Sequence, residues 1–114
     1  MNPANPSEYR VRFDWGPTGL RTIAPHVDVV VIVDVLSFTT CVDVALGRGA
    51  EVFPYKMNDG TALEFAESVD AELAGGRDGD DKFSLSPASL AQASVGDRIV
   101  LPSPNGSALA FGAA

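Results

Sequence analysis

The hydrophobic positions along the chain follow two different periods, and each predicts a different element. Residues 9–13 alternate apolar and polar side chains, which predicts a strand with one buried and one wet face. Residues 27–33 are almost continuously β-branched, as is typical of a strand covered on both faces in a parallel sheet. Glu51–Tyr55 and residues 98–101 predict two further strands.

Helical patterns fill the intervals between these strands. One apolar stripe follows the second strand and is formed by Phe38, Val42, Ala45 and Leu46. A second helix is expected to begin with a capping box of Thr61 and Glu64 and to continue to Leu73. Ser86 and Pro87 predict the start of a short third helix, and a last one begins after Gly106.

This alternation predicts one α/β domain over residues 1–114, a layered α/β/α arrangement with a mostly parallel sheet. The last predicted helix has barely begun at Ala114. The pattern therefore predicts an incomplete, N-terminal portion of a longer fold.

The net charge of the chain limits the kinds of partner that it can bind. Eight basic residues against 15 acidic ones give a net charge of −7, which disfavours nucleic acid and anionic membranes as partners. The apolar run at 29–33 is too short to span a bilayer, and residues 1–6 do not resemble a signal peptide. The single cysteine, Cys41, is expected to be a small buried hydrophobe. We therefore expect a cytoplasmic domain.

Candidate chemistry begins where the β-branched segment ends. Asp34 follows it directly, at the position where parallel sheets bind ligands, and suits a Mg²⁺ ligand or a general base. Ser37, Thr39 and Thr40 follow at the start of a predicted helix, where free N–H groups favour anions. The alternative is that a hydroxyl only caps the helix and that Asp34 complements its dipole.

A second candidate lies after the last predicted strand. Asn105 and Gly106 tolerate left-handed backbone, so that N–H groups up to Ser107 could converge on one anion. An ordinary turn is the alternative. If the two strand ends are neighbours, these residues and Asp34 face one ligand.

Three segments of the chain occur in the order of motifs of a known family. They are residues 31–40 continuing to 45–50, residues 83–87 with their Ser-Pro, and residues 101–109 with their Asn-Gly-Ser. In these segments the chain resembles the N-terminal half of the 2-phosphosulfolactate phosphatase family.

The resemblance implies a layered α/β/α fold and a Mg²⁺-dependent phosphatase that converts phosphosulfolactate to sulfolactate, towards coenzyme M. Together with the residues at the strand end, it leads us to expect catalysis by Asp34 and Ser37, with Asp34 also holding the metal. For Ser37 the roles of nucleophile, phosphate donor and helix cap all stay open. Phosphate binding is expected of a larger set, namely Thr39, Thr40, Arg77, Asn105, Gly106 and Ser107, of which Arg77 rests on the resemblance alone. The substrate would be a small phosphorylated metabolite.

Departures from the family motifs support a rival interpretation. Ser37-Phe38 stands where the family usually has Arg-Ala, and Ser103-Pro104 replaces paired threonines. The rival is a non-catalytic binding or assembly module that kept the fold and lost the site. In either case we expect a homo-oligomer or a complementary partner chain, because a bare sheet surface favours association.

Overall fold

The computed structural model describes residues 10–34, 37–57, 59–75 and 81–113. The helices in these ranges are α1 (Gly16–Ile23), α2 (Phe38–Gly47), α3 (Gly60–Ser68), α4 (Pro87–Leu90) and α5 (Gly106–Ala113), with a 3-10 turn at Ala24–His26 after α1. The strands are β1 (Glu51–Tyr55), β2 (Glu72–Leu73) and β3 (Arg98–Pro102). None of the helices in the described ranges is long and apolar enough to cross a lipid bilayer.

The three strands form one parallel sheet in the order β1-β3-β2. The register places Val100 of β3 opposite Phe53 of β1 and opposite Leu73 of β2. The strands expected at Glu51–Tyr55 and at 98–101 are therefore confirmed. The sheet is parallel, as predicted.

Helices cover both faces of the central strand. Ile99 and Leu101 pack with α2 and α4 in one core cluster, whereas Val100 packs with α3 in the other. All three side chains are fully buried, because successive residues of a strand point to opposite faces. The arrangement is the predicted α/β/α layering.

The β-branched segment at 27–33 is not part of this sheet, so the prediction of a doubly covered strand there is wrong. Val29, Val31 and Val33 form an exposed row, which we call the valine row, with 76%, 81% and 76% of each residue accessible to solvent. The intervening Val30 and Ile32 are half-buried. From residue 28 to 33 the backbone makes no hydrogen bond to other described backbone. β-Branched composition favours an extended chain but does not supply a pairing partner.

The segment before α1 also differs from the expectation. Residues 10–13 form no strand, and Tyr9 lies outside the described residues. The pattern of apolar residues did not predict α1, because Gly16-Pro17 is compatible with a turn as well as with a helix start. Proline in the first turn suits a helix start, where its missing N–H is not needed.

The helix α2 carries the predicted core stripe with one exception. Phe38, Cys41 and Ala45 are buried, which confirms Cys41 as a core residue, whereas Leu46 is 54% exposed. Leu46 is exposed because it lies in the last turn of α2, beside the loop to β1.

The helix α3 begins and ends differently from the prediction. Its N-cap is Asp59, which accepts hydrogen bonds from the backbone N–H and the hydroxyl of Thr61, so the expected Thr61–Glu64 capping box is replaced. The helix ends at Ser68 instead of Leu73, which belongs to β2. The Thr61 hydroxyl lowers the pKa of Asp59 because it donates to the ionised carboxylate.

Candidate functional site

The two candidate segments of the sequence meet at one hydrogen bond. The backbone N–H of Gly106, the first residue of α5, donates to Oδ2 of Asp34 at 3.0 Å. Asp34 follows the valine row, and Gly106 lies four residues after β3 ends. Asp34 and the start of α5 are therefore in contact, but not as neighbouring strand ends, because the segment before Asp34 lies outside the sheet.

Glycine is required at position 106 because there is no space for a Cβ atom between Phe38 and Asp34. A Cβ atom at this position would lie 2.7 Å from Cδ2 of Phe38 and 2.9 Å from Cβ of Asp34. The described residues with positive φ include neither Asn105 nor Gly106, so the left-handed turn expected from the sequence is not the reason for this glycine. The start of α5 touches both Asp34 and the first residue of α2.

The N-terminus of α2 offers unpaired donors beside this contact. Its first intrahelical hydrogen bond runs from the Cys41 N–H to the Ser37 carbonyl at 2.9 Å. The N–H groups of Phe38, Thr39 and Thr40 make no hydrogen bond within the described ranges. Such N–H groups carry the positive end of the helix dipole and favour an anion. The side chains of Thr39 and Thr40 are exposed and available to a ligand.

Ser37 occupies the N-cap position of α2 without capping it through its side chain. Its hydroxyl is half-buried and donates to the Leu85 carbonyl at 3.4 Å, a long and weak bond. Ser37 therefore connects α2 to the segment before α4. Action as a nucleophile would require this bond to break.

The side chain of Ser107 has a structural role, which differs from the phosphate contact expected of it. It is completely buried, accepts from the Tyr55 N–H at 2.8 Å and donates to the Leu101 carbonyl. Its own N–H donates to Oγ of Ser103 at 3.3 Å. The start of α5 thus has its first two donors satisfied internally, whereas Asn105 is exposed. Of the three residues expected to bind phosphate here, only Asn105 is exposed.

The two remaining predictions concern Arg77 and the Mg²⁺ site. Arg77, expected to contact phosphate, lies outside the described residues. For Mg²⁺, the described part of the chain contains no group of three His, Cys, Asp or Glu side chains suited to one metal ion. Asp34 Oδ1 has no hydrogen-bond partner among the described residues, and Mg²⁺ is commonly held by one or two carboxylates, waters and substrate phosphate. The donor set is thus compatible with a metal shared between Asp34 and a phosphorylated ligand.

Sequence reasoning did not identify two parts of this site. Phe38 was assigned only to the core, yet it forms the wall against which Gly106 packs. Ser103 was noted as a departure from a motif, yet its hydroxyl caps the start of α5. Ser103 lies two residues before the N-cap position of α5, where the usual capping preferences do not apply.

Compared with known proteins, the chain matches no family model, no curated protein and no solved structure. The function is therefore argued from the geometry of Asp34 and the two helix starts.

Proposed function

We propose that this chain is a Mg²⁺-dependent phosphomonoester hydrolase acting on a small anionic phosphate ester such as 2-phosphosulfolactate. The observation that supports it is the Asp34–Gly106 hydrogen bond, which holds a carboxylate between the starts of α2 and α5. A carboxylate near free helix N–H groups combines a site for a hard cation with a site for phosphoryl oxygens.

In this proposal each group has a defined task. Asp34 would hold Mg²⁺ through Oδ1, while Gly106 fixes Oδ2. The free N–H groups of α2, with the hydroxyls of Thr39 and Thr40, would bind the phosphoryl oxygens. Mg²⁺, when bound, neutralises charge on the transferring phosphoryl group. Asn105 would contact the ester from the opposite side.

The chemical step is a displacement at phosphorus. The oxygen of a water molecule forms a bond to phosphorus and the ester P–O bond breaks, which yields inorganic phosphate and the alcohol. Water is preferred to Ser37 as the nucleophile because the Ser37 hydroxyl is engaged with the Leu85 carbonyl. A Ser37→Ala variant that retains turnover supports water, whereas loss of turnover together with loss of a phosphoenzyme would assign the attack to Ser37.

The test is a screen of small phosphate esters with and without Mg²⁺, applied to the parent, Asp34→Asn and Asp28→Asn. Asp28 is a matched control because it is exposed and lies at the other end of the β-branched segment. We expect Asp34→Asn to abolish Mg²⁺-dependent turnover with an unchanged circular dichroism spectrum, since the amide retains shape but not charge. Turnover equal to the parent would remove Asp34 from the mechanism.

A measurement independent of turnover uses phosphate as ligand. An anion that binds only the folded state raises the melting temperature by mass action. With Mg²⁺ present, millimolar phosphate should stabilise the parent and Asp28→Asn but not Asp34→Asn. Equal stabilisation of all three would show that phosphate binds elsewhere.

The second candidate is a non-catalytic binding or assembly module. It is favoured by the internally satisfied donors of Gly106 and Ser107, which leave the start of α5 little capacity for an anion. Saturable phosphate protection without turnover of any ester would support this candidate.

The exposed valine row supports association with a second copy or a complementary chain, which sedimentation at several concentrations tests. A cytoplasmic location belongs to the same proposal.

A further inference from the structure

A cavity of about 250 Å³ lies between α1, α5 and the β-branched segment. Its walls are mainly apolar and include Leu20, Ile23, Val30, Ile32 and Leu109. The volume is slightly below the range of about 300–1,000 Å³ typical of ligand sites, so the cavity suits a small molecule.

The cation Arg12 lines this cavity and has no counter-ion among the described residues. Nη1 of Arg12 donates to the His26 carbonyl at 3.1 Å, while Nε is buried without any hydrogen-bond partner. The ion pairs of the described residues involve Lys82 and Arg98, not Arg12. Because Nε is closed to solvent, a ligand carboxylate would reach the guanidinium through Nη2, which makes no hydrogen bond to the described residues.

Two aromatic side chains share this cavity with Arg12. Phe13 and Trp15 line the cavity, and their rings meet edge to face at 5.1 Å with an interplanar angle of 85°. Trp15 is nevertheless 77% exposed and Phe13 is 74% exposed. Exposed aromatic faces beside a cavity can pack against a planar ligand, and a guanidinium matches a carboxylate in two parallel hydrogen bonds.

We infer that this cavity, lined by Arg12, Phe13 and Trp15, binds a small aromatic carboxylate. The carboxylate pairs with the Arg12 guanidinium and the ring packs on Phe13 and Trp15. Asp14 also lines the cavity, but its Oδ1 accepts from the Trp15 N–H at 2.7 Å. This site is independent of the phosphoryl chemistry proposed above, because neither Mg²⁺ nor phosphate takes part.

The chain contains a built-in reporter for the test. Trp15 is its single tryptophan, so fluorescence excited at the red edge of absorption reports the cavity alone. Phenylpropanoate, phenylpropanol and phenylpropylamine share one skeleton and differ in the charge of the head group. Titrations in buffer without Mg²⁺ or phosphate should give a saturable blue shift with phenylpropanoate in the millimolar range, and weaker binding of the alcohol and the amine. Because the chain carries a net charge of −7, non-specific attraction would favour the amine instead.

Two arginine variants separate the guanidinium from general charge. Arg12→Met should weaken phenylpropanoate binding about tenfold or more, the effect of losing a charge-assisted hydrogen bond. Arg21→Met is the control, because Arg21 lies on α1 outside the cavity lining and bonds Thr18. If Arg12→Met does not fold by circular dichroism, Arg12→Lys replaces it and should weaken binding because lysine keeps the charge but not the paired donors, while the cavity-filling Leu20→Phe should abolish binding.

The inference is overturned by any of three results. The first is the absence of saturable binding of phenylpropanoate at millimolar concentration. The second is equal or tighter binding of the amine, which would show that Arg12 does not select the carboxylate. The third is an equal loss of binding in the Arg12 and Arg21 variants.

Discussion

The close contact of Gly106 with Asp34 and Phe38 makes Gly106→Ala the sharpest test of the candidate site. The added methyl group would lie 2.7 Å from Cδ2 of Phe38 and 2.9 Å from Cβ of Asp34. Both neighbours are hard to move. Phe38 is buried in the core, and a Cβ atom moves only with its backbone. The φ angle of Gly106 is not positive, so the effect comes from packing and not from backbone strain.

The expected cost combines two contributions. Overpacking of a tight contact costs about 1–3 kcal/mol, and lengthening the hydrogen bond to the Asp34 carboxylate costs about 1 kcal/mol more. We therefore expect the free energy of unfolding to fall by about 2–4 kcal/mol. For a domain of this size the melting temperature should fall by about 10 °C or more.

The assay is thermal unfolding followed by circular dichroism, with Gly112→Ala as the matched control in the same helix. A Cβ at Gly112 would meet only Cδ2 of Leu20 at 3.6 Å, an ordinary van der Waals distance. Alanine is also the better helix former, so this variant should be as stable as the parent or more so. If Gly106→Ala is as stable as Gly112→Ala, the tight packing of Asp34 against α5 is refuted.

Two further predictions concern hydrogen bonds of the fold. Ser107→Ala should lower the free energy of unfolding by about 2 kcal/mol or more, because the Tyr55 N–H and the Leu101 carbonyl lose their buried partner. Asp59→Ala should lower the melting temperature by removing the N-cap of α3, whereas Asp59→Asn should retain most of it at neutral pH. The pKa of Asp59 is lowered from 3.8 chiefly by the Thr61 hydroxyl, so its contribution is complete above that value and is lost as the pH falls below it.

The control for Ser107→Ala is a serine whose hydroxyl is exposed. Ser68→Ala removes an exposed hydroxyl bonded to the Phe65 carbonyl and should change stability little in chemical denaturation. An equally small effect of Ser107→Ala would contradict the structural role of its hydroxyl. For Asp59, melting temperatures measured between neutral and acidic pH should fall less steeply in Asp59→Asn than in the parent. Parallel curves would contradict the lowered pKa.

The sequence predicted those parts of the fold whose local pattern and tertiary environment agree. Strands β1 and β3 combine β-branched or aromatic residues with turn residues at their ends, and both form. The start of α4 at Pro87 was identified because serine is a preferred N-cap residue and proline suits the first helical position. In α3, by contrast, Asp59 took the cap from Thr61, since two residues with similar capping ability stand close together.

Pairing of strands could not be predicted from composition. The segment 27–33 has a stronger β-branched pattern than β3, yet β3 occupies the centre of the sheet. Pairing depends on which partners lie nearby after folding, and side-chain periodicity does not encode them. The helix α1 was missed for a related reason, because Gly-Pro is compatible with both a turn and a helix start.

For the candidate site, the sequence predicted which segments would meet but not how. The expectation that Asp34 lies near Asn105-Gly106 is met by the hydrogen bond at Gly106. The contact with Phe38 and the burial of the Ser107 hydroxyl depend on packing between α2, α5 and β1. The substrate, the metal and the role of Ser37 remain predictions that the proposed assays test.

Asp34 also flanks the valine row, a position that matters whether or not Asp34 has the catalytic role proposed for it. Residues 29–33 are five consecutive β-branched residues, bracketed by Asp28 and Asp34. Exposed windows of this kind seed fibrils, and flanking charges act as gatekeepers that keep copies apart. Asp34→Asn therefore removes one gatekeeper, and Asp28→Asn removes the other. Both variants should bind thioflavin T sooner than the parent on storage, so their turnover has to be measured on freshly filtered protein.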